Sequence, residues 1–260
     1  EYHNACDGRI KIDARIHGEY TSNHLAVSAV ADYARQNGLR AHVHVSETKL
    51  EHEECKARHG GKTPVEYFSE LGFFDVPTTA AHCVWIEGND FEILREKNVT
   101  VASNPASNLK LASGVCNIPK LLNNNINVAI GTDSTASNNS LNFIEEMKLF
   151  AIAPKVHFSD PRVISPSETL CGASSQGRDD CGVIRQGAKA DIIVLDISGP
   201  HMHPVHDLKN NLVYSASGSD VVMTMVDGRV LYENGQYTTI DIEKTISEAE
   251  RATARILSEL

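Results

Sequence analysis

The chain has 260 residues, with 34 acidic against 24 basic side chains and a formal charge of −10. That balance argues against binding nucleic acid or an anionic membrane through bulk electrostatics, and no apolar stretch approaches the length of a membrane span. The length allows one large domain or one and a half, and six cysteines without a Cys-x-x-Cys pair read as reduced thiols of a cytoplasmic protein.

Alternation of apolar and polar side chains predicts a strand over 9–17. Thr21-Ser-Asn then opens a helix carrying Leu25, Val27, Ala29, Val30, Tyr33 and Ala34. A second strand over 40–46 is followed by a charged helix over 49–58, which Gly60-Gly61 ends. Thr63-Pro64 starts another helix, with a capping residue and a proline at its first position. Strands over 78–84, 100–103 and 127–133 then alternate with helices over 90–96 and 117–124, and a long helix runs from 141 to about 153. Five strand–helix units in succession imply a parallel sheet with helices outside it.

Beyond Asp160 the texture changes. One more helix starts at Ser165-Pro-Ser-Glu, and short β-branched runs over 190–195, 212–215, 221–226 and 229–232 follow, with Asp227-Gly228 as a hairpin turn. The expected division is therefore 1–178 for the parallel part, 179–240 for a small β-unit and 241–260 for an amphipathic terminal helix with Ile242, Ile246, Ala249 and Ile256. An open doubly wound sheet is one architecture for the parallel part, but no Gly-rich phosphate loop follows any of its strands. An eight-stranded barrel needs about three more units. With no initiator methionine and a strand almost at once, the chain is expected to open inside a domain, as a fragment or a processed piece.

Three strands deliver polar tips. His44 and His82 end two strand-like runs, and Asp133 ends a third, Val128-Ala-Ile-Gly-Thr-Asp. A parallel sheet buries both faces and seldom tolerates unpaired polar groups, so imidazoles and a carboxylate at strand ends suggest a hydrolytic metal site. A bound divalent metal lowers the pKa of its water toward neutrality, and a carboxylate such as Asp133 serves as ligand and proton acceptor together. Glu47, three residues past His44, is placed to donate and accept protons over the strand mouth. His42 shares the face of His44 and reads either as a second ligand or as a core histidine, hydrogen-bonded one layer deeper. Asn104, in Ser103-Asn-Pro-Ala-Ser-Asn-Leu109, offers an amide for a hydroxylated or heteroaromatic substrate, or an ordinary Asn-Pro turn. His201, His203 and His206 read as surface turn residues.

The chain resembles the amidohydrolase superfamily, specifically the methylthioadenosine/S-adenosylhomocysteine deaminases and their chlorohydrolase-like relatives. The residues that carry this are His44-x-x-Glu47-Thr, Ala81-His-Cys-Val84, Ser103-Asn-Pro-Ala-Ser-Asn-Leu-Lys-Leu-Ala-Ser-Gly114 and Gly131-Thr-Asp-Ser-Thr-Ala-Ser-Asn-Asn139. Gly187-Ala-Lys-Ala-Asp191 and Met225-Val-Asp-Gly228 match the family's small C-terminal unit. The resemblance implies an α/β fold: strands four to eight, about, of a (β/α)8 TIM barrel plus a small C-terminal β-sandwich. It implies that His44 and Asp133 hold a zinc ion (or another divalent metal such as Fe2+), that His82 stands beside the water, and that Glu47 is the acid/base. His17, in Ile-His-Gly-Glu-Tyr-Thr, falls where nucleoside deaminases keep a substrate-contacting histidine, though without the usual proline-flanked pattern. Glu47, Asp133 and Asn104 join it as implied substrate contacts.

The activity this implies is hydrolytic deamination of an adenosine-type thioether nucleoside, with release of ammonia. Its partners are a small-molecule substrate, neither nucleic acid nor membrane, and it is compatible with a homo-oligomer. Another aromatic deaminase or a chlorohydrolase is the alternative, as is a catalytically incomplete fragment. The family's His-x-His pair on the first strand is absent from this sequence, and without it His44 and Asp133 fill half a coordination sphere.

Overall fold

The computed structural model describes residues 2–174 and 180–259. A five-stranded sheet runs in the order β1 (Ala14–Arg15), β2 (Ala41–Val45), β3 (Thr78–His82), β4 (Thr100–Ser103) and β5 (Val128–Ile130). Every adjacent pair is parallel. Sheet order equals chain order, so each connection steps one strand onward in the same direction. A doubly wound sheet reverses direction at a switch point, and this one does not. The result is an arc of β/α units, as expected of part of a barrel, with all strand C-termini on one edge.

Alternation in β2 fixes its two faces. Ala41, Val43 and Val45 are buried, while His42 and His44 on the opposite face are half-buried. Helix His24–Asn37 buries Val27, Ala31 and Ala34; it starts where the Asn23 side chain accepts the Ala26 N–H and ends at left-handed Gly38. Helix Pro64–Glu70 begins with a reciprocal Thr63–Glu66 cap and contributes Phe68, which packs with Phe73 and Phe74. These three rings are among the largest fully buried side chains. Each stabilises the fold by roughly 2–3 kcal/mol through burial alone.

Three elements depart from the sequence expectation, each for a local reason. The strand expected over 9–17 shrinks to Ala14–Arg15 because the segment before it folds on itself. The Asn4 N–H bonds the Ile10 carbonyl, and the Ile12 N–H donates to His3 Nδ1. The strand expected over 127–133 stops at Ile130. Gly131 N still bonds Ser103 O, and Asp133 then turns left-handed at φ 58°, three residues beyond the strand rather than on its tip. The strand expected over 212–215 is a wide helical turn, Asn211–Ser215. Upstream, Asp207 caps the N–H groups of Lys209 and Asn210, which commits the segment to helix.

The described chain falls into two compact units, one of Glu1–Gly177 with Asp207–Tyr214, the other of Arg178–His206 with Ser215–Leu260. The sequence reading kept 207–214 in the small unit; the boundary it set at 178/179 lies outside the described residues. The second unit is a four-stranded antiparallel sheet, β6 (Ile192–Leu195), β7 (Val221–Val226), β8 (Arg229–Glu233) and β9 (Gln236–Tyr237). Asp227 and Gly228, both at positive φ, make the tight β7–β8 turn. A sandwich adds a second facing sheet, and among the described residues this unit has one. Its helix Ile242–Glu259 buries no residue. No helix among the described residues is long and apolar enough to cross a membrane.

Candidate active site

Register gathers the candidate residues at one edge of the first unit. His44 in β2 stands opposite Ala81 of β3, so His82 lies one step further along the neighbouring strand. The His44 and His82 rings stack at 27°, with centroids 5.4 Å apart. Left-handed backbone clusters here: Ser46 at φ 48°, His82 at 71°, Cys83 at 48° and Asp133 at 58°. Non-glycine residues adopt this region at a cost of about 1–3 kcal/mol each, and such strain concentrates where side chains are aimed at a task.

His44 is oriented by backbone. The carbonyl of His17 accepts from His44 N at 3.0 Å and from His44 Nδ1 at 2.6 Å. A carbonyl only accepts, so the ring proton is on Nδ1 and Nε2 carries the lone pair. That is the arrangement of a metal-ligating histidine, whose other nitrogen donates to a fixed acceptor. Burial holds His44 below the usual imidazole range, and the hydrogen bond to His17 opposes this only in part. It is neutral at pH 7, the form that ligates. His17 itself is exposed, 4.9 Å from the His44 ring and 5.5 Å from that of Tyr20, with Nδ1 2.9 Å from Thr21 Oγ1.

His82 is 1 % exposed and held by amides. Its Nδ1 lies 2.8 Å from Asn108 Oδ1 and 3.4 Å from Asn104 Nδ2. The shorter contact places the ring proton on Nδ1, so Nε2 faces outward, 3.5 Å from Glu47 Oε2. Glu47 is half-buried, in the turn between β2 and helix Lys49–Arg58.

Asp133 accepts from Ser107 Oγ through Oδ2 and from the Ser134 N–H through Oδ1, both at 2.6 Å. Burial pushes its carboxyl up, but these two bonds and the nearby His82 and His44 outweigh burial and hold it below the usual carboxylate range. It stands ionised at neutral pH, within electrostatic reach of both imidazoles.

A neutral imidazole nitrogen and an ionised carboxylate make a mixed N/O donor set that suits zinc or iron(II). They supply two of the four ligands a tetrahedral site needs. Among the described residues, the ligand atoms of His44, His82 and Asp133 are not all within 4.8 Å of one another, and His82 Nε2 faces Glu47. Among the described residues the one trio that close is Glu19, Cys55 and His59. There Glu19 already pairs with Arg58 (2.5 Å) and His59 (2.7 Å), and burial pushes the Cys55 thiol up to about 12. That is an ion-pair network with a protonated thiol beside it.

Among the described residues His42 is not the hydrogen-bonded core histidine of one of its two readings. Its ring meets that of His44 edge-on at 5.9 Å, its buried Nδ1 has no partner among the described residues, and burial lowers its pKa to about 4. Ser107 and Asn108 were missed by the sequence reading. The signal was present: Pro105 at the first turn makes 105–110 a helix, which sets Asn104 and Asn108 four residues apart on one face.

Comparisons with known proteins bear on the family and the fold. The model for the amidohydrolase family matches residues 3–231. The chain is 42 % identical over 261 residues to a 5-methylthioadenosine/S-adenosylhomocysteine deaminase of Dictyoglomus thermophilum, covering 98 % of this chain and 61 % of that protein. It is 40 % identical over 259 residues to a 5'-deoxyadenosine deaminase of Methanosarcina mazei, covering 98 % and 60 %. The fold superposes on the crystal structure of a zinc-bound adenosine deaminase from Xanthomonas campestris with a TM-score of 0.92 at 28 % identity, over 98 % of this chain and 59 % of that one. The chain thus spans about three fifths of the length of the proteins it matches. On the family match and these identities, the chain belongs to the amidohydrolase family.

Proposed function

We propose that the chain belongs to a metal-dependent deaminase of adenosine-type nucleosides altered at the 5' position, with S-adenosylhomocysteine or methylthioadenosine as substrate. The relatives at 40–42 % identity are named for such substrates, which supports the class. The observation that carries the reading is the convergence of His82 Nε2 on Glu47 beside the His44 ring, with the ionised Asp133 in electrostatic reach.

His44 Nε2 and the Asp133 carboxylate would hold the divalent ion, zinc being the choice that the zinc-bound relative supports. Bound there, such an ion polarises the nucleophilic water and brings its pKa toward neutrality. Asp133 takes a proton from that water. His82 Nε2 hydrogen-bonds the incoming oxygen, and Asn108 keeps its lone pair pointing outward. Glu47 enters protonated and donates to the ring nitrogen next to the carbon bearing the amine. Asp133 gives the proton taken from water to the leaving nitrogen, and the now ionised Glu47 recovers the remaining hydroxyl proton as the carbonyl forms, so that amine plus water gives carbonyl plus ammonia. Asn104 and the exposed His17 line the approach to the base and sugar. Its six free thiols suit a reducing cytoplasm.

The test is ammonia release from S-adenosylhomocysteine by the zinc-loaded protein in its complete form. Stoichiometric zinc without ammonia would remove the substrate assignment.

A further inference from the structure

We infer that Glu51 is a positioning residue that locks the backbone carrying Glu47; this rests on the acid/base role proposed above. Glu51 is 6 % exposed, and no cation pairs with it among the described residues. Its carboxylate accepts three consecutive backbone N–H groups: Ser46 at 3.1 Å, Glu47 at 2.7 Å and Thr48 at 3.4 Å.

The plain alternative is a capping box, and one is present: Glu51 N donates to Thr48 Oγ1 at 3.1 Å, and the Glu51 side chain returns to Thr48 N. A capping box uses only that one return bond, and here it is the longest of the three. The two shorter bonds reach past the cap to Ser46 and Glu47, residues outside the helix. Neither adds to helix capping; both fix the peptides on either side of Ser46, the second of which carries the Glu47 nitrogen.

The segment needs fixing. Ser46 is fully buried at a left-handed φ of 48°. Its carbonyl accepts from the N–H groups of Val84 and Trp85 just beyond β3, and its Oγ meets His52 Nδ1 at 3.2 Å. The same residue therefore ties the mouth of β2 to the loop after His82. With Glu51 holding Ser46 N and Glu47 N, the separation between the Glu47 and His82 side chains is set by backbone anchors on both strands. A shift of about 1 Å in such a pair is worth on the order of a hundredfold in rate.

The experiment compares Glu51→Gln and Thr48→Ala with the wild type in the complete zinc-loaded protein, reading kcat, KM, zinc content and melting temperature. Glu51→Gln keeps the shape but turns one acceptor oxygen into a donor. It is expected to lower kcat tenfold or more, with KM within twofold and zinc retained. Thr48→Ala removes the other half of the capping box and is expected to lower the melting temperature with kcat unchanged. In a Glu47→Gln background Glu51→Gln is expected to have no further effect on the residual rate, because it acts through Glu47. Unaltered kcat in Glu51→Gln, equal losses in both single variants, or an additive double variant would each overturn the inference. If Glu51→Gln fails to fold, Glu51→Asp, one methylene short of Ser46 and Glu47, replaces it under the same criteria. A wild type that releases no ammonia removes the proposed function and this inference with it; an active wild type matched by Glu51→Gln removes only the inference.

Discussion

His44 and His82 sit ring to ring although they lie on different strands, and each ring points its lone pair by a different device. A backbone carbonyl from β1's C-terminal extension holds His44, and the Asn108 amide holds His82. Two stacked imidazoles, each held through Nδ1, can divide their tasks: one nitrogen for a cation, the other for a water.

That division predicts opposite phenotypes. His44→Ala is expected to cut zinc content sharply, because Nε2 is one of the two proposed donors. His82→Asn is expected to leave zinc near stoichiometric while slowing turnover by about 10²-fold or more, the scale of losing one oriented proton or hydrogen-bond partner. Elemental analysis with steady-state rates on the same samples separates them. Zinc lost in His82→Asn would reverse the assignment.

Glu47→Gln removes the proposed proton donor but keeps the shape. Turnover is expected to fall by roughly 10²–10⁴-fold with metal content unchanged. Measuring ammonia against zinc stoichiometry checks this, and loss of the metal would make Glu47 a ligand.

Away from the chemistry, Glu19 anchors the turn after β1 to helix Lys49–Arg58. Burial alone pushes its carboxyl up, but hydrogen bonds and charge from Arg58 and His59 outweigh this and hold it below 4.5. A depressed folded pKa means the folded form prefers the ionised group, so the contribution is fully present above the unfolded value of about 4.3. It is lost as pH falls through the lower folded value. Glu19→Gln is therefore expected to be less stable than wild type at pH 7, by about 2 kcal/mol, with the gap closing below pH 4. Denaturant midpoints at the two pH values check it. A gap that stays constant with pH would mean that the pairing is not responsible.

How much of this the sequence disclosed follows from what kind of signal each feature needs. The β/α alternation was legible because burial on both faces of a parallel sheet writes continuous apolar runs such as Val128-Ala-Ile130, and capping residues such as Thr63-Pro64 mark the helix starts. His44, His82, Glu47 and Asp133 were legible as polar residues at the ends of those runs. The clamp on them was not. Asn108 on His82 and the His17 carbonyl on His44 are contacts between different β/α units whose partners carry no local pattern, and a backbone carbonyl is the same in every residue. The helical turn at Asn211–Ser215 was misread because Leu-Val-Tyr is β-prone on its own, and the deciding cap, Asp207, lies four residues before it.

Gly131 supplies a final test of how tightly the site is packed. A Cβ built on it collides with Asn104 Oδ1, and Asn104 is 5 % exposed with its amide against His82. Glycine at this point lets the end of β5 approach the amide pair from β4. Gly131→Ala is expected to destabilise by about 1–3 kcal/mol through overpacking and also to lower kcat, because displacing Asn104 disturbs the amide beside His82 Nδ1. The double variant Gly131→Ala with Asn104→Ala removes the colliding oxygen and is expected to recover the stability but not the rate. Thermal melts and turnover on the two variants decide between this and a purely steric effect. Full recovery of both would show that Asn104 serves only to fill space.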